Sequence, residues 1–367
     1  MTGERGAIAL AERVLAVLDE GTFSATYKFA LFTAILDVCI ERTSRHGLPP
    51  TVITTRQLAA RVLELYWNHS VPYGAQGVLR QGGTVAGGQA EIVRRIERTR
   101  ARWASSQTDT LFRARLDHRD EFSRLLAFTE WKLIEMPIPR LQVLGRREDR
   151  FLYEYNWTQE IRRATVSEYQ RGGASRFDNR LLLRPGVAEN LVRLNGVLRP
   201  LFYRQWALMV ASMNRLPEAE LERFLFGSER VPLDTIRAPL RDLQDDRCFY
   251  CHRRLDRRAD VDHFIPWSRY PDDGLDNLVA ADPGCNGSKR DFLAAAEHVE
   301  RWVRRTQQLD GQLADMAREI RWHRDADRSR AVASAMYLRL PGSARLWIRQ
   351  SEFGPLERDR IRHALDG

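Results

Sequence analysis

Three of the four cysteines in this 367-residue chain fall between residues 247 and 290, and their spacing constrains the fold more than any other feature. Cys248 and Cys251 form a C-x-x-C knuckle, a short loop from which two thiolates converge on one tetrahedral metal ion. Cys285 closes a second knuckle, and the residue three places before it is Asp282. Zinc accepts carboxylate oxygen as well as thiolate, so Cys248, Cys251, Asp282 and Cys285 are the expected ligands of a closed structural zinc site. A single C-x-x-C also fits small core residues or a redox dithiol; a second knuckle at ribbon-like distance favours zinc. A metal staple matters here, because a unit of about 45 residues is too small to be held by an apolar core alone.

Between the knuckles lies Val261-Asp262-His263-Phe264-Ile265-Pro266. Neighbours on a strand point to opposite faces, so Asp262 and His263 are free to serve different partners, one a metal ion and the other a water. An isolated acid–histidine pair usually serves stability. The polar company of this one, Asn277, Asn286 and Lys289, points to chemistry instead. Only three lysines occur in the chain, Lys28, Lys132 and Lys289, so a lysine at 289 marks a place where a compact ammonium is preferred over a guanidinium.

The ordered pattern C-x-x-C, D-H-x-x-P, N-L-V and C-N-x-x-K resembles the HNH endonucleases, whose catalytic unit is a two-stranded hairpin, a helix and a metal ion. The resemblance implies a role for each matching residue. His263 matches the general base that activates water, and Asp262 a ligand of the catalytic divalent ion. Asn277 matches the middle asparagine that ties the loop down and orients the base. Asn286 stands where the family has its last histidine or, in many members, asparagine, the second metal ligand, and Lys289 matches a basic residue close to the phosphate. The departures are the His-Asn-Asn set and Asp282 in place of a cysteine or histidine zinc ligand. Phosphodiester hydrolysis needs an activated water, a neutralised phosphate and a stabilised leaving oxygen. Histidine suits the first task at neutral pH. A hard cation on oxygen ligands, Mg²⁺ or Mn²⁺, suits the other two.

The expected function is therefore metal-dependent cleavage of DNA, leaving 5′-phosphate and 3′-hydroxyl ends. The setting implied by resemblance is bacterial restriction or anti-phage defence, with other subunits of a defence complex as partners. The rivals are a non-catalytic nucleic-acid-binding subunit using the zinc fold as a platform, and an RNA-cleaving toxin. The net charge of +9 and pI near 9.7 agree with a polyanionic partner. No apolar run reaches the roughly 18 residues that span a bilayer. The N-terminal stretch reads as an amphipathic helix carrying acids and not as a signal peptide. With zinc-like cysteine spacing this predicts a cytoplasmic protein without membrane contact.

The fold class expected is mainly α, with a small α+β zinc-stapled ββα-metal module. Four segments are predicted: a helical domain at 1–160 with a small sheet near its end, a helical connector at 161–240, the nuclease module at 241–295, and a helical region at 296–367. A helix capped by Ser24 or Thr26 is expected to run to about Arg45, with an apolar surface on nearly every side and an inert Cys39. A second helix begins at Thr54-Thr55 with Leu58, Val62, Leu65 and Tyr66 on one face; ordinary packing is favoured over a helix-turn-helix. Residues 68–89 read as an exposed loop whose GGTVAGG lacks the phosphate-loop ending. Arg94, Arg95, Arg98 and Arg102 make a basic helix and candidate nucleic-acid contacts. One helix is expected over 109–135, LQVLG and RFLYEYNW as strands of a small sheet or hairpin near 140–157 joined across GRRED, and a linker or nucleic-acid-facing loop over 160–186. Pro200 is expected to kink or split the helix at 187–227. His298, His323 and His363 read as surface histidines.

Overall fold

A computed structural model describes residues 4–20, 25–83, 88–103, 110–144, 147–158, 160–218, 220–227 and 232–367. Ser24 and the middle of GGTVAGG lie outside them. The chain divides into two compact units, Met1–Cys39 with Pro50–Gly227, and Ile40–Pro49 with Ser228–Gly367. The expected segments 1–160 and 161–240 fall together, up to Gly227, in the first unit. The module and the C-terminal region fall in the second.

The first unit is helical around a small sheet. It holds α1 (Glu4–Glu20), α2 (Tyr27–Glu41, its last two residues counted with the second unit), β1 (Val52–Thr54), α3 (Thr55–His69), α4 (Glu91–Trp103), α5 (Leu111–Asp117), α6 (Arg119–Glu135) and α7 (Pro137–Arg140). The short strands β2 (Val143–Leu144), β3 (Arg147–Glu148) and β4 (Tyr153–Tyr155) follow. Then come α8 (Arg163–Gln170), β5 (Arg180–Leu183), α9 (Val187–Arg193), α10 (Asn195–Asn214) and α11 (Leu221–Phe226). Thr54 starts α3 through a capping box: its hydroxyl accepts from Gln57 N–H, and the Gln57 side chain accepts from Thr54 N–H. The middle of α2 is buried on all sides, as its continuous apolar sequence requires, and burial pushes the Cys39 thiol up. Within it Asp37 is fully buried but receives Arg199 at 2.6 Å and Arg61 at 2.8 Å. Burial opposes its charge, and the two guanidiniums outweigh burial to hold its carboxyl below the usual range.

Several local expectations are corrected here. The helix over 109–135 breaks at His118, whose ring leaves the helix to stack on Trp103 at 5.0 Å. Strand β4 does not pair with the LQVLG segment. It pairs with β5, which also pairs with β1, in the antiparallel order β1-β5-β4, while β2 forms a small hairpin with β3. The supposed linker over 160–186 thus supplies the central strand and α8. Helix α10 runs through Pro200, and the break falls at Leu194 instead.

The second unit contains α12 (Asp234–Leu243), β6 (Asp260–His263), β7 (Leu278–Ala281), α13 (Pro283–Lys289), α14 (Ala296–Gln308), α15 (Asp310–Glu319), α16 (Ala326–Tyr337), β8 (Arg345–Arg349), β9 (Glu352–Pro355) and α17 (Arg358–Asp366). Strands β6 and β7 pair antiparallel, with Asp262 opposite Val279 and His263 opposite Leu278. Helix α13 begins at Pro283, whose fixed φ suits a first turn, and ends at Lys289, after which Arg290 adopts φ 46°. The hairpin and α13 make a ββα unit resting on α14, where Trp302 stacks on Phe264 at 4.9 Å and donates to the Asp276 carbonyl at 2.7 Å. The β8–β9 hairpin was not foreseen. His298, read as a surface residue, is 2 % exposed: it stacks on Trp347 and hydrogen-bonds the Ile348 carbonyl at 2.8 Å. Among the described residues no helix is long and apolar enough to cross a membrane. The protein is mainly α, with small antiparallel sheets and one ββα module.

Candidate active site

The cysteine cluster forms as the spacing requires. The thiols of Cys248, Cys251 and Cys285 lie within 4.8 Å of one another. The Cys285 thiol beside Cys248, aided by the Asp282 N–H 3.2 Å from its sulfur, holds Cys248 down at about 5, while the Cys248 thiolate pushes Cys285 up. A cluster with one sulfur already favoured as thiolate fits zinc, and supplies three of its four usual ligands. Asp282, expected as the fourth, is not in the group. Its carboxylate accepts from Gly284 N–H at 2.9 Å and caps α13.

On the hairpin, Asp260 and Asp262 share one face of β6, two residues apart. On α13, Asn286 and Lys289 share one face, three residues apart. The two faces meet in two rungs. Asn286 donates its amide to Asp260 at 3.0 Å, and Lys289 Nζ lies 2.9 Å from Asp262. Lys289 also donates to the His263 carbonyl at 2.8 Å, and Tyr250 donates its hydroxyl to Asp262 at 2.5 Å. Lys289 is fully buried, so the phosphate contact expected of it does not fit; it neutralises Asp262 and pins the backbone of His263. Both rungs leave an oxygen unused: among the described residues, Asp262 Oδ1 and Asn286 Oδ1 take no hydrogen bond. Asp262 and Asn286 make no direct hydrogen bond to each other.

His263 turns to the other side of β6. Its Nε2 lies 2.8 Å from Asp273, and its ring packs edge-on against Trp267 at 5.5 Å. Burial holds the Asp273 carboxyl above its ordinary range, against the opposing pull of His263. A carboxylate only accepts, so Nε2 is the donor and the imidazole's free lone pair lies on Nδ1. The loop that carries Asp273 is tied down by Asn277, which is 1 % exposed. Its carboxamide accepts from Ile265 N–H at 2.8 Å and donates to the carbonyls of Ile265 and Asp272 at 3.2 and 3.0 Å. Asp276 is also buried and meets Arg324 at 3.1 Å.

Sequence reasoning missed three residues of this constellation. Asp260 had a signal, since it is two places before Asp262 on a strand. Tyr250 sits inside the first knuckle and shows nothing in its spacing. Asp273 reaches His263 only through the loop closed by Asn277. The basic-helix residues lie in the first unit and are already engaged. Arg94 donates to the Gln89 carbonyl at 3.0 Å, Arg95 lies over Phe128, and Arg102 meets Glu121 at 3.5 Å; all four arginines, Arg98 included, are exposed.

No curated protein and no solved structure matches the chain. One family model does, over residues 248–295, and its description is HNH endonuclease. It begins at the first thiol of the cluster and ends beyond α13, so it covers the ββα unit and little else. The chain carries, in its second unit, a module of the HNH endonuclease family.

Proposed function

We propose that the module hydrolyses phosphodiester bonds of DNA with a bound divalent cation. The family match supports a nuclease and a nucleic-acid substrate. The observation that carries the reading furthest is the histidine held by a carboxylate beside unused oxygen donors: His263 on Asp273 at 2.8 Å, with Asp262 Oδ1 on the other face of β6 and Asn286 Oδ1 on the side of α13 that meets it. In this account His263 Nδ1 takes the proton from the attacking water. Asp273 is its positioning residue: it fixes the ring and stabilises the imidazolium that forms. Asn277 holds the loop on which Asp273 stands. Lys289 and Tyr250 fix Asp262 so that one oxygen faces outward. Asp262 and Asn286 would hold Mg²⁺ or Mn²⁺, both being oxygen donors of the kind these ions prefer, with Asp260 completing the acidic wall. When bound, such an ion neutralises phosphate charge and stabilises the leaving oxygen. The three thiols would hold zinc as a staple.

A platform that binds nucleic acid without cutting it is the second reading. One observation favours it: Lys289 already balances the charge of Asp262. The biological setting we propose, restriction or anti-phage defence with further subunits, rests on family analogy.

Incubation of the chain with supercoiled plasmid and with structured RNA, each with Mg²⁺, with Mn²⁺ and with EDTA, separates the readings. Relaxed or linear plasmid that disappears with EDTA is expected. Binding without cutting in either metal supports the platform, and cutting of RNA alone moves the substrate class.

A further inference from the structure

The loop from Cys251 to Ala259 carries the sequence Arg253-Arg254-Leu255-Asp256-Arg257-Arg258. Its backbone is fixed. Cys248 N–H donates to the Arg253 carbonyl at 2.9 Å, Leu255 N–H donates to the Asp246 carbonyl at 2.7 Å, and Arg254 bridges Arg247. Leu255 and Ala259 are buried at 6 % and 1 %, and anchor the loop as two pegs. The four arginines, Arg253 and Arg254 before Leu255 and Arg257 and Arg258 before Ala259, are all exposed.

Their surroundings differ from those of four other arginines of the same unit. Arg318, Arg349, Arg360 and Arg362 each lie against a carboxylate. Among the described residues, none of the four loop arginines makes an ion pair. The nearest acid in sequence, Asp256, spends an oxygen on the Arg258 N–H at 2.7 Å. Four exposed guanidiniums lie close in sequence on a backbone fixed at both ends, with Asp256 the one acid among them in the sequence. That arrangement fits a surface satisfied from outside by a partner with regularly spaced negative charge. The loop runs directly into Asp260 of β6, so such a partner would be delivered to the strand bearing Asp262 and His263.

We propose that Arg253, Arg254, Arg257 and Arg258 form the phosphate-backbone clamp of the module and bind duplex DNA without reading its sequence. This rests on the nuclease reading above, and it places the main electrostatic contact on the zinc-knuckle loop and not on the basic helix α4. Arginine suits the task because its planar fork pairs with two phosphate oxygens.

Counterion release gives the test. Each phosphate contact adds about 0.9 to the slope of log affinity against log salt. Binding of a fluorescent 20-base-pair duplex is measured across KCl concentrations in the His263→Ala background, without added Mg²⁺ or Mn²⁺, so that nothing is cut. The quadruple Arg→Gln variant at 253, 254, 257 and 258 is expected to lower the slope by about 3.6 and to weaken binding at low salt by at least tenfold. Arg257→Gln with Arg258→Gln, the pair farther along the loop from Cys251, is expected to lower it by about half that amount, with zinc content unchanged. Arg360→Gln with Arg362→Gln, a pair already neutralised by carboxylates, leaves the slope as it was. An unchanged slope in both loop variants overturns the clamp, and plasmid cutting by the wild type in that case leaves the nuclease reading standing. Absence of DNA binding by the wild type at every salt concentration overturns both.

Discussion

At the scale of single residues, the module separates charge that is neutralised from charge that is left available. Lys289 and Tyr250 both spend themselves on Asp262 Oδ2, with the Lys289 side chain fully buried. Removing the ammonium alone would strand a buried carboxylate, a change that costs about 3–5 kcal/mol. Asn277 is a different case: its carboxamide satisfies one buried N–H and two carbonyls, so its loss leaves orphaned groups worth about 1–3 kcal/mol each. Asp273 is the residue whose role is least like structure. Its side chain supplies the acceptor at 2.8 Å from His263 Nε2. Asp273→Ala is expected to lower the cleavage turnover roughly a hundredfold, the lower end of what a positioned base contributes. DNA affinity and melting temperature stay near wild type. A variant that loses affinity or stability in proportion to activity shows that Asp273 holds the loop and not the base.

Secondary-structure elements show where the sequence was legible. The knuckles, the D-H pair and the capped start of α3 were readable because each depends on neighbours within a few residues. Pairing of β4 with β5 was not, because a partner some thirty residues away competes with a nearer apolar segment, and no local signal ranks the two. The burial of His298 was invisible for the same reason: the Ile348 carbonyl that accepts it lies on β8, in a hairpin the reading did not contain. Lys289 was placed against phosphate by its match to a motif, yet position along α13 sets it one turn from Asn286, on the face that meets β6. The thiol cluster makes a prediction at this scale. Cys248→Ser is expected to lower both bound zinc and thermal stability. A loss of about 3 kcal/mol moves the melting midpoint by roughly 6–12 °C in a unit of this size. Full stability with zinc absent would show that the ββα unit is held by Trp302, Phe264 and their neighbours alone.

For the whole molecule, the residues proposed to carry cleavage all lie in the second unit. The first unit is built around buried α2 and its Asp37–Arg61–Arg199 cluster, a polar core that ties α2, α3 and α10 together. Nothing in it supplies a second metal-competent cluster among the described residues. The net positive charge of the chain suits nucleic acid, but charge alone does not distinguish cutting from holding. His263 makes that distinction, because it is neither a thiol of the cluster nor a member of the Asp262–Lys289 pair. The decisive measurement is cleavage of supercoiled plasmid with Mg²⁺ or Mn²⁺ by the wild type and by His263→Ala, each checked for zinc content and melting temperature. A drop of at least about 10²-fold in the variant, with zinc, fold and DNA binding retained, is the predicted result. A variant that cuts as fast as the wild type would contradict the assignment of the base.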